Sequence, residues 1–133
     1  LHYRPHGKPY VKLREQSSGV YFNIAHSGDV VLFAIHPNSE VGIDVEQEKD
    51  EMHWDRVARQ LFSPQEFANW STFDEKQRRH SFYAEWTRRE AGLKAIGSGF
   101  AIEQAVGWDT PLKFFRLELP PGYAGSVAIV RSV

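Results

Sequence analysis

Val41-Gly42-Ile43-Asp44-Val45-Glu46 is the stretch whose reading decides the fold. Valine and isoleucine alternate there with glycine and carboxylates, the period of a strand with one buried face. Val41, Ile43 and Val45 are expected on the core face. Gly42, Asp44 and Glu46 then share the other, with the two carboxylates about 6–7 Å apart along the strand. Aspartate is depleted in strands, and like charges on one face repel unless something positive stands between them. Gly42 is expected to clear space beside them for a ligand. From the hexapeptide alone two readings stand open: a wet polar strand face, or a ligand site.

On the N-terminal side, Val20-Tyr21-Phe22-Asn23-Ile24-Ala25 reads as a strand, broken by His26-Ser27-Gly28-Asp29. The apolar run Val30–Ile35 follows, so a hairpin is expected, with His26 at its turn. Residues 1–19 are rich in basic residues, His, Pro and Gly. Within them His6-Gly7-Lys8-Pro9 reads as a turn, with Val11 and Leu13 in a short strand. A histidine at a strand end is commonly a surface residue, and a loop lysine is commonly just solvated.

On the C-terminal side, Trp54, Val57, Ala58 and Leu61 fall at helical spacing. Ser63-Pro64-Gln65-Glu66 reads as a capping box with proline in the first turn, which makes Glu66 structural. Asp74 to Ile96 is the longest helical stretch, stopped by Gly97-Ser98-Gly99. Phe82, Trp86, Leu93 and Ile96 form its expected apolar stripe, with Glu90 on the flank and Arg89 near the middle. Glu90 and Lys94, spaced i, i+4, also suit an ordinary helix ion pair. Lys113–Leu119, the Pro120-Pro121-Gly122 turn and Ser126–Val130 read as a closing pair of strands. The fold class is therefore α+β, an antiparallel sheet packed against a long helix.

The chain has 133 residues, 41% hydrophobic and 14% aromatic, enough for one domain with a core. Its formal net charge of −1 gives no basic field for nucleic acid. The apolar runs are too short to span a membrane. There is no cysteine, which excludes disulfides, thiolate ligands and a cysteine nucleophile, and fits a reducing compartment such as the cytoplasm.

Asp44, Glu46 and Glu90 thus stand out as three hard oxygen donors, if the long helix crosses the strand. Such a set suits Mg²⁺ shared with substrate phosphates. Lys94, one turn beyond Glu90, would lie near the same phosphates, and His26 and Lys8 could reach others from their loops. No P-loop glycine pattern is present.

Five stretches carry a family resemblance. Gly7-Lys8-Pro9, Phe22-Asn23-Ile24-Ala25-His26-Ser27, Val41–Glu46, Phe62-Ser63-Pro64-Gln65-Glu66 and Trp86-Thr87-Arg88-Arg89-Glu90-Ala91-Gly92-Leu93-Lys94 together resemble the ordered motifs of Sfp-type 4′-phosphopantetheinyl transferases. The resemblance implies transfer of 4′-phosphopantetheine from coenzyme A to a carrier-protein serine, releasing adenosine 3′,5′-bisphosphate. It implies Asp44, Glu46 and Glu90 as magnesium ligands, and Lys94 at the pyrophosphate. Lys8, Pro9, Ala25 and His26 fall at coenzyme A contacts, with Glu90 or a water held by Glu46 as base. Ala25 stands where a serine commonly precedes the histidine, and Arg89 where a lysine commonly precedes the glutamate.

The family's pattern is a pseudo-dimer of two α/β halves with coenzyme A between them. On that pattern residues 1–40 are the end of the N-terminal subdomain and 41–133 the C-terminal transferase subdomain. A helix, strands and further basic contacts would then be missing, and self-association could complete the site. Carrier proteins are usually acidic, which makes Arg78, Arg79 and Arg88 candidate docking charges. Two other classes remain: a non-catalytic module that binds carrier protein or coenzyme A, and a different Mg²⁺-dependent phosphoester enzyme.

Overall fold

A computed structural model describes residues 2–3, 9–11, 20–49, 54–97 and 111–131, with side chains from residue 20 onward. The elements run β1 (His2–Tyr3), β2 (Pro9–Val11), β3 (Val20–Ser27), β4 (Val30–His36) and β5 (Val41–Gln47). Then come α1 (Trp54–Leu61), α2 (Pro64–Ser71), α3 (Glu75–Ile96), β6 (Leu112–Arg116) and β7 (Tyr123–Val130). The α+β class holds. The strands form two antiparallel sheets rather than one, ordered β1-β2-β3-β4 and β5-β7-β6. No described helix is long and apolar enough to cross a membrane.

The hairpin β3–β4 closes on Ser27↔Val30 around Gly28-Asp29, with Gly28 at φ 54°. His26 therefore lies inside β3 and not in the turn. Alternation sends Ala25 inward, where it packs against Ile43 and Val45 in the core between the sheets. His26 is exposed on the opposite face, beside Val31.

β5 is the centre of three layers: the β3–β4 sheet on one side, the β5-β7-β6 sheet in the middle, and α3 on the other. Every residue from Val41 to Val45 is buried, so the polar face expected to be wet is roofed by α3. Gly42 serves the helix and not a ligand. A Cβ there would run into the Ala91 carbonyl oxygen and the Ala95 backbone nitrogen. That close approach also explains the true sheet-facing residues of α3, Thr87, Ala91, Gly92 and Ala95, all small. The expected stripe was drawn from the large apolar residues. Of these, Phe82 and Trp86 pack instead with Ala58, Leu61 and Trp70 of α1 and α2.

The helix ends behave as their sequences dictate. Ser63 Oγ accepts from the Glu66 N–H at 3.1 Å, and Glu66 Oε1 accepts from the Ser63 N–H at 2.9 Å. This closes the capping box. Asp74 Oδ1 caps α3 through the Gln77 N–H at 2.8 Å, and Gly97 ends it in the left-handed region at φ 80°.

Candidate functional site

β5 is an edge strand, so its outward backbone groups need partners other than a ladder. They find side chains. The Ile43 N–H donates to Asn23 Oδ1 at 2.9 Å, and the Gln47 N–H to Ser27 Oγ at 2.8 Å, both from β3. Lys94 reaches over from α3 and donates to the Ile43 carbonyl oxygen at 2.9 Å. Its ammonium then stands 3.4 Å from Asp44 Oδ1. Asp44 is 7% exposed, and among the described residues its Oδ2 has no hydrogen-bond partner.

The electrostatics follow from that placement. Burial pushes the Asp44 carboxyl up to about 7, outweighing the downward pull of Lys94. The neighbouring charges of Glu46 and Glu90 push it further up. Burial likewise raises Glu46, against the opposing Lys94 charge and a hydrogen bond from the Trp86 indole. Of the three acids named from sequence, Glu46 and Glu90 thus both act on Asp44 through their charge. Among the described residues no group of three His, Cys, Asp or Glu stands close enough to hold a metal ion. What lies against Asp44 here is the lysine.

Behind Asp44 the register sets Ser126 of β7 opposite it, buried. Thr87 Oγ1 stands 3.4 Å from Ser126 Oγ and donates to the Tyr83 carbonyl oxygen at 2.9 Å. The strand's exit is also tied down. Glu48 Oε1 stands 2.6 Å from His80 Nδ1, and the Tyr83 hydroxyl accepts from the Lys49 N–H at 3.3 Å. Sequence reasoning gave Trp86 only a packing role and passed over Thr87, Ser126, Tyr83 and Asn23.

The remaining candidates fall elsewhere. Lys8 lies outside the described residues. Pro9 belongs to β2, in register with Tyr3. Ala25 is buried at 5% exposure, and His26 is exposed on the far face of β3. Arg89 donates to the Leu61 carbonyl oxygen at 3.3 Å, at the end of α1. The candidate docking arginines Arg88 and Arg78 make the following contacts within the chain. Arg88 pairs with Glu85 at 3.2 Å and lies 4.4 Å over the Phe114 ring, and Arg78 lies over Trp70 at 5.8 Å.

A profile of the 4′-phosphopantetheinyl transferase superfamily matches residues 40–129. The chain belongs to that superfamily. The 4′-phosphopantetheinyl transferase HetI of Nostoc is 31% identical over 123 residues, 92% of this chain and 52% of that protein. The 4′-phosphopantetheinyl transferase of Bacillus subtilis is 30% identical over 89% of this chain and 51% of its own length. AcpT of Salmonella typhimurium, another 4′-phosphopantetheinyl transferase, is 32% identical over 83% and 55% respectively. The chain spans about half the length of the curated relatives it matches.

Proposed function

We propose that this chain transfers 4′-phosphopantetheine from coenzyme A to a serine hydroxyl of an acyl or peptidyl carrier protein, in the cytoplasm. One observation carries the reading: Asp44, buried and raised toward neutrality, with Lys94 against one oxygen and none of the described residues bonded to the other. A buried orphan carboxylate oxygen is costly unless a ligand meets it. Together with superfamily membership, this supports a cation and phosphate site at the end of β5.

The donor types, rather than their present spacing, suit a hard divalent cation. Asp44, Glu46 and Glu90 offer oxygen only, and the acidic pressure on Asp44 is what a bound cation relieves. They would hold Mg²⁺, which when bound supplies charge neutralisation at the pyrophosphate. Lys94 adds a fixed positive charge beside it and so stabilises the leaving adenosine 3′,5′-bisphosphate. A carboxylate, Glu90 or Glu46 through a water, accepts the serine proton as that oxygen attacks phosphorus. Trp86 restricts the Glu46 carboxylate through its indole hydrogen bond. His26, Lys8, Pro9 and the Ala25 backbone are assigned to coenzyme A.

On the Sfp-type pattern we assign residues 1–40 to the end of one subdomain and 41–133 to a transferase subdomain, in a pseudo-dimer whose cleft Asp44 and Glu46 would face. A second reading is a module that binds carrier protein or coenzyme A without turnover. Incubation with apo carrier protein, coenzyme A and Mg²⁺, followed by mass spectrometry of the carrier, separates the two. Phosphopantetheine on the carrier is the expected result. Coenzyme A binding without transfer would replace the enzyme with the module.

A further inference from the structure

The layer between α3 and the β5–β7 pair is built in rungs. On the face of the sheet that meets α3, Gly42 lies opposite Ala128, Asp44 opposite Ser126 and Glu46 opposite Ala124. Ala128 clusters with Ala91 and Ala95 of α3, and Ala124 belongs to the cluster that holds Tyr83. Between them Ser126 meets Thr87, the two hydroxyl oxygens 3.4 Å apart. Tyrosine and tryptophan aside, the buried polar side chains among the described residues are Asn23, Asp44, Thr87 and Ser126. Asn23 is accounted for by the Ile43 N–H. The other three meet in this one rung, each from a different element.

Packing the helix on the sheet does not explain the two hydroxyls. Thr87 Oγ1 has one proton and donates it to the Tyr83 carbonyl oxygen at 2.9 Å, within its own helix. Valine has the same shape and no polar atom to bury. The contact across to Ser126 is long for two hydroxyls, whose bonds centre near ~2.7–2.8 Å. Ser126 therefore carries a proton with no close acceptor among the described residues, and Asp44 Oδ2, on the residue directly opposite, is an acceptor with no donor among them.

We propose that Ser126 is a positioning residue for Asp44: its hydroxyl, held from behind by Thr87, turns to the Asp44 carboxylate and fixes the plane in which that carboxylate meets a cation. The inference rests on the reading of Asp44 as a cation ligand. The ladder makes the contact available. Ile43 sends its N–H and carbonyl outward to Asn23 and Lys94, so Asp44 turns its own to β7 and exchanges two backbone hydrogen bonds with Ser126. That fixes the pair in register, and opposed side chains on one face have Cβ atoms about 5 Å apart. A turn about the serine χ1 closes the remaining gap. The protons then have two arrangements. Ser126 donates to Thr87 and Thr87 to the Tyr83 carbonyl, or Thr87 donates to Ser126 and Ser126 to Asp44. Each is a chain of donors running one way, which strengthens its members. With Lys94 at Oδ1 and Ser126 at the other oxygen, both sides of the carboxylate are tied, and each oxygen keeps a lone pair for a cation. Groups that touch a ligand and not the metal are commonly worth ~10–100-fold in affinity.

Mg²⁺ titrations read by melting temperature, without coenzyme A, test this on the binding step alone. Ser126→Ala is expected to raise the half-saturating Mg²⁺ concentration about tenfold, while its metal-free melt in chelator stays close to wild type. Thr87 supplies a matched pair. Thr87→Val keeps the shape, removes the hydroxyl and is expected to move the midpoint in the same direction; Thr87→Ser keeps the hydroxyl and is expected to hold the wild-type midpoint. Asp44→Asn is the reference for the underlying reading, expected to stay flat while wild type responds. Given that pattern, a wild-type midpoint in Ser126→Ala overturns the positioning role alone, and equal midpoints in Thr87→Val and Thr87→Ser remove Thr87 from it. A fall in metal-free stability with the midpoint unchanged also overturns it, leaving the two hydroxyls as a plain tie between helix and sheet. A wild-type chain that does not respond to Mg²⁺, or an Asp44→Asn chain that does, removes the cation reading itself and this proposal with it.

Discussion

The Lys94 ammonium on α3 stands 3.4 Å from Asp44 Oδ1 on β5, and the same group caps the Ile43 carbonyl at that strand's open edge. One side chain therefore closes the edge of a sheet and counters a buried acid. Asp44 is still left with its carboxyl raised to about 7, because a single amine on one oxygen does not repay its burial.

Asp44 should make the metal-free chain less stable as pH rises. Its ordinary value is 3.8 and its folded value about 7. Between the two, the folded chain holds a proton that the unfolded chain has lost, so stability falls through that window and stays lower above it. The gap sets a ceiling of about 4 kcal/mol. Asp44→Asn, which keeps the shape and removes the charge, should gain about 1–2 kcal/mol at pH 8 and little near pH 4. Thermal melts in chelator at the two pH values check this; equal effects at both would remove the linkage.

Divalent cation should reverse that order. Mg²⁺ bound only by the folded chain stabilises by about 2.7 kcal/mol at a hundredfold excess over Kd. At pH 8 the wild-type melting temperature is expected to climb with Mg²⁺, Glu90→Gln to respond weakly, and Asp44→Asn not at all. The variant that is more stable without metal becomes the less responsive with it. A Mg²⁺ response unchanged in Asp44→Asn would move the cation elsewhere.

The elements were legible because each carries its own signal: the alternation in 41–46, the capping box at Ser63–Glu66, the long run closed by Gly97. The two-sheet arrangement was not, because a period of two states which residues share a face and not what covers it. The sheet-facing side of α3 was lost for a related reason. Its residues are Thr87, Ala91, Gly92 and Ala95, whose value lies in being small, and hydrophobicity ranks them below Phe82 and Trp86. The acids of the candidate site were readable as residue types. Their order of burial was not, since it depends on α3 lying flat on β5.

Two glycines should fail for different reasons when replaced by alanine. At Gly42 the added methyl meets the α3 backbone, which cannot yield without lifting the helix from the sheet. Gly42→Ala should lose about 3 kcal/mol or more, beyond ordinary overpacking. Gly122 has open space around it but sits at φ 86°, so Gly122→Ala should lose only about 1 kcal/mol, from backbone strain alone. Urea denaturation of the two variants compares them directly, and a Gly42→Ala protein of wild-type stability would mean that α3 does not bear on β5.

The docking of the two sheets should hinge on Asn23. It is 8% exposed, and its side chain accepts the buried Ile43 N–H. Asn23→Ala leaves that donor without a partner and without water, a loss of about 1–3 kcal/mol. Ser27→Ala removes the equivalent bond to the Gln47 N–H, which is only part-buried, so water can replace it and the loss should stay below about 1 kcal/mol. Amide hydrogen exchange resolves the mechanism as well as the magnitude. In Asn23→Ala the Ile43 amide should lose protection while the β5–β7 ladder amides, such as those of Asp44 and Ser126, keep theirs. Uniform loss across both sheets would instead mean global destabilisation, with Asn23 acting on the core and not on the edge of β5.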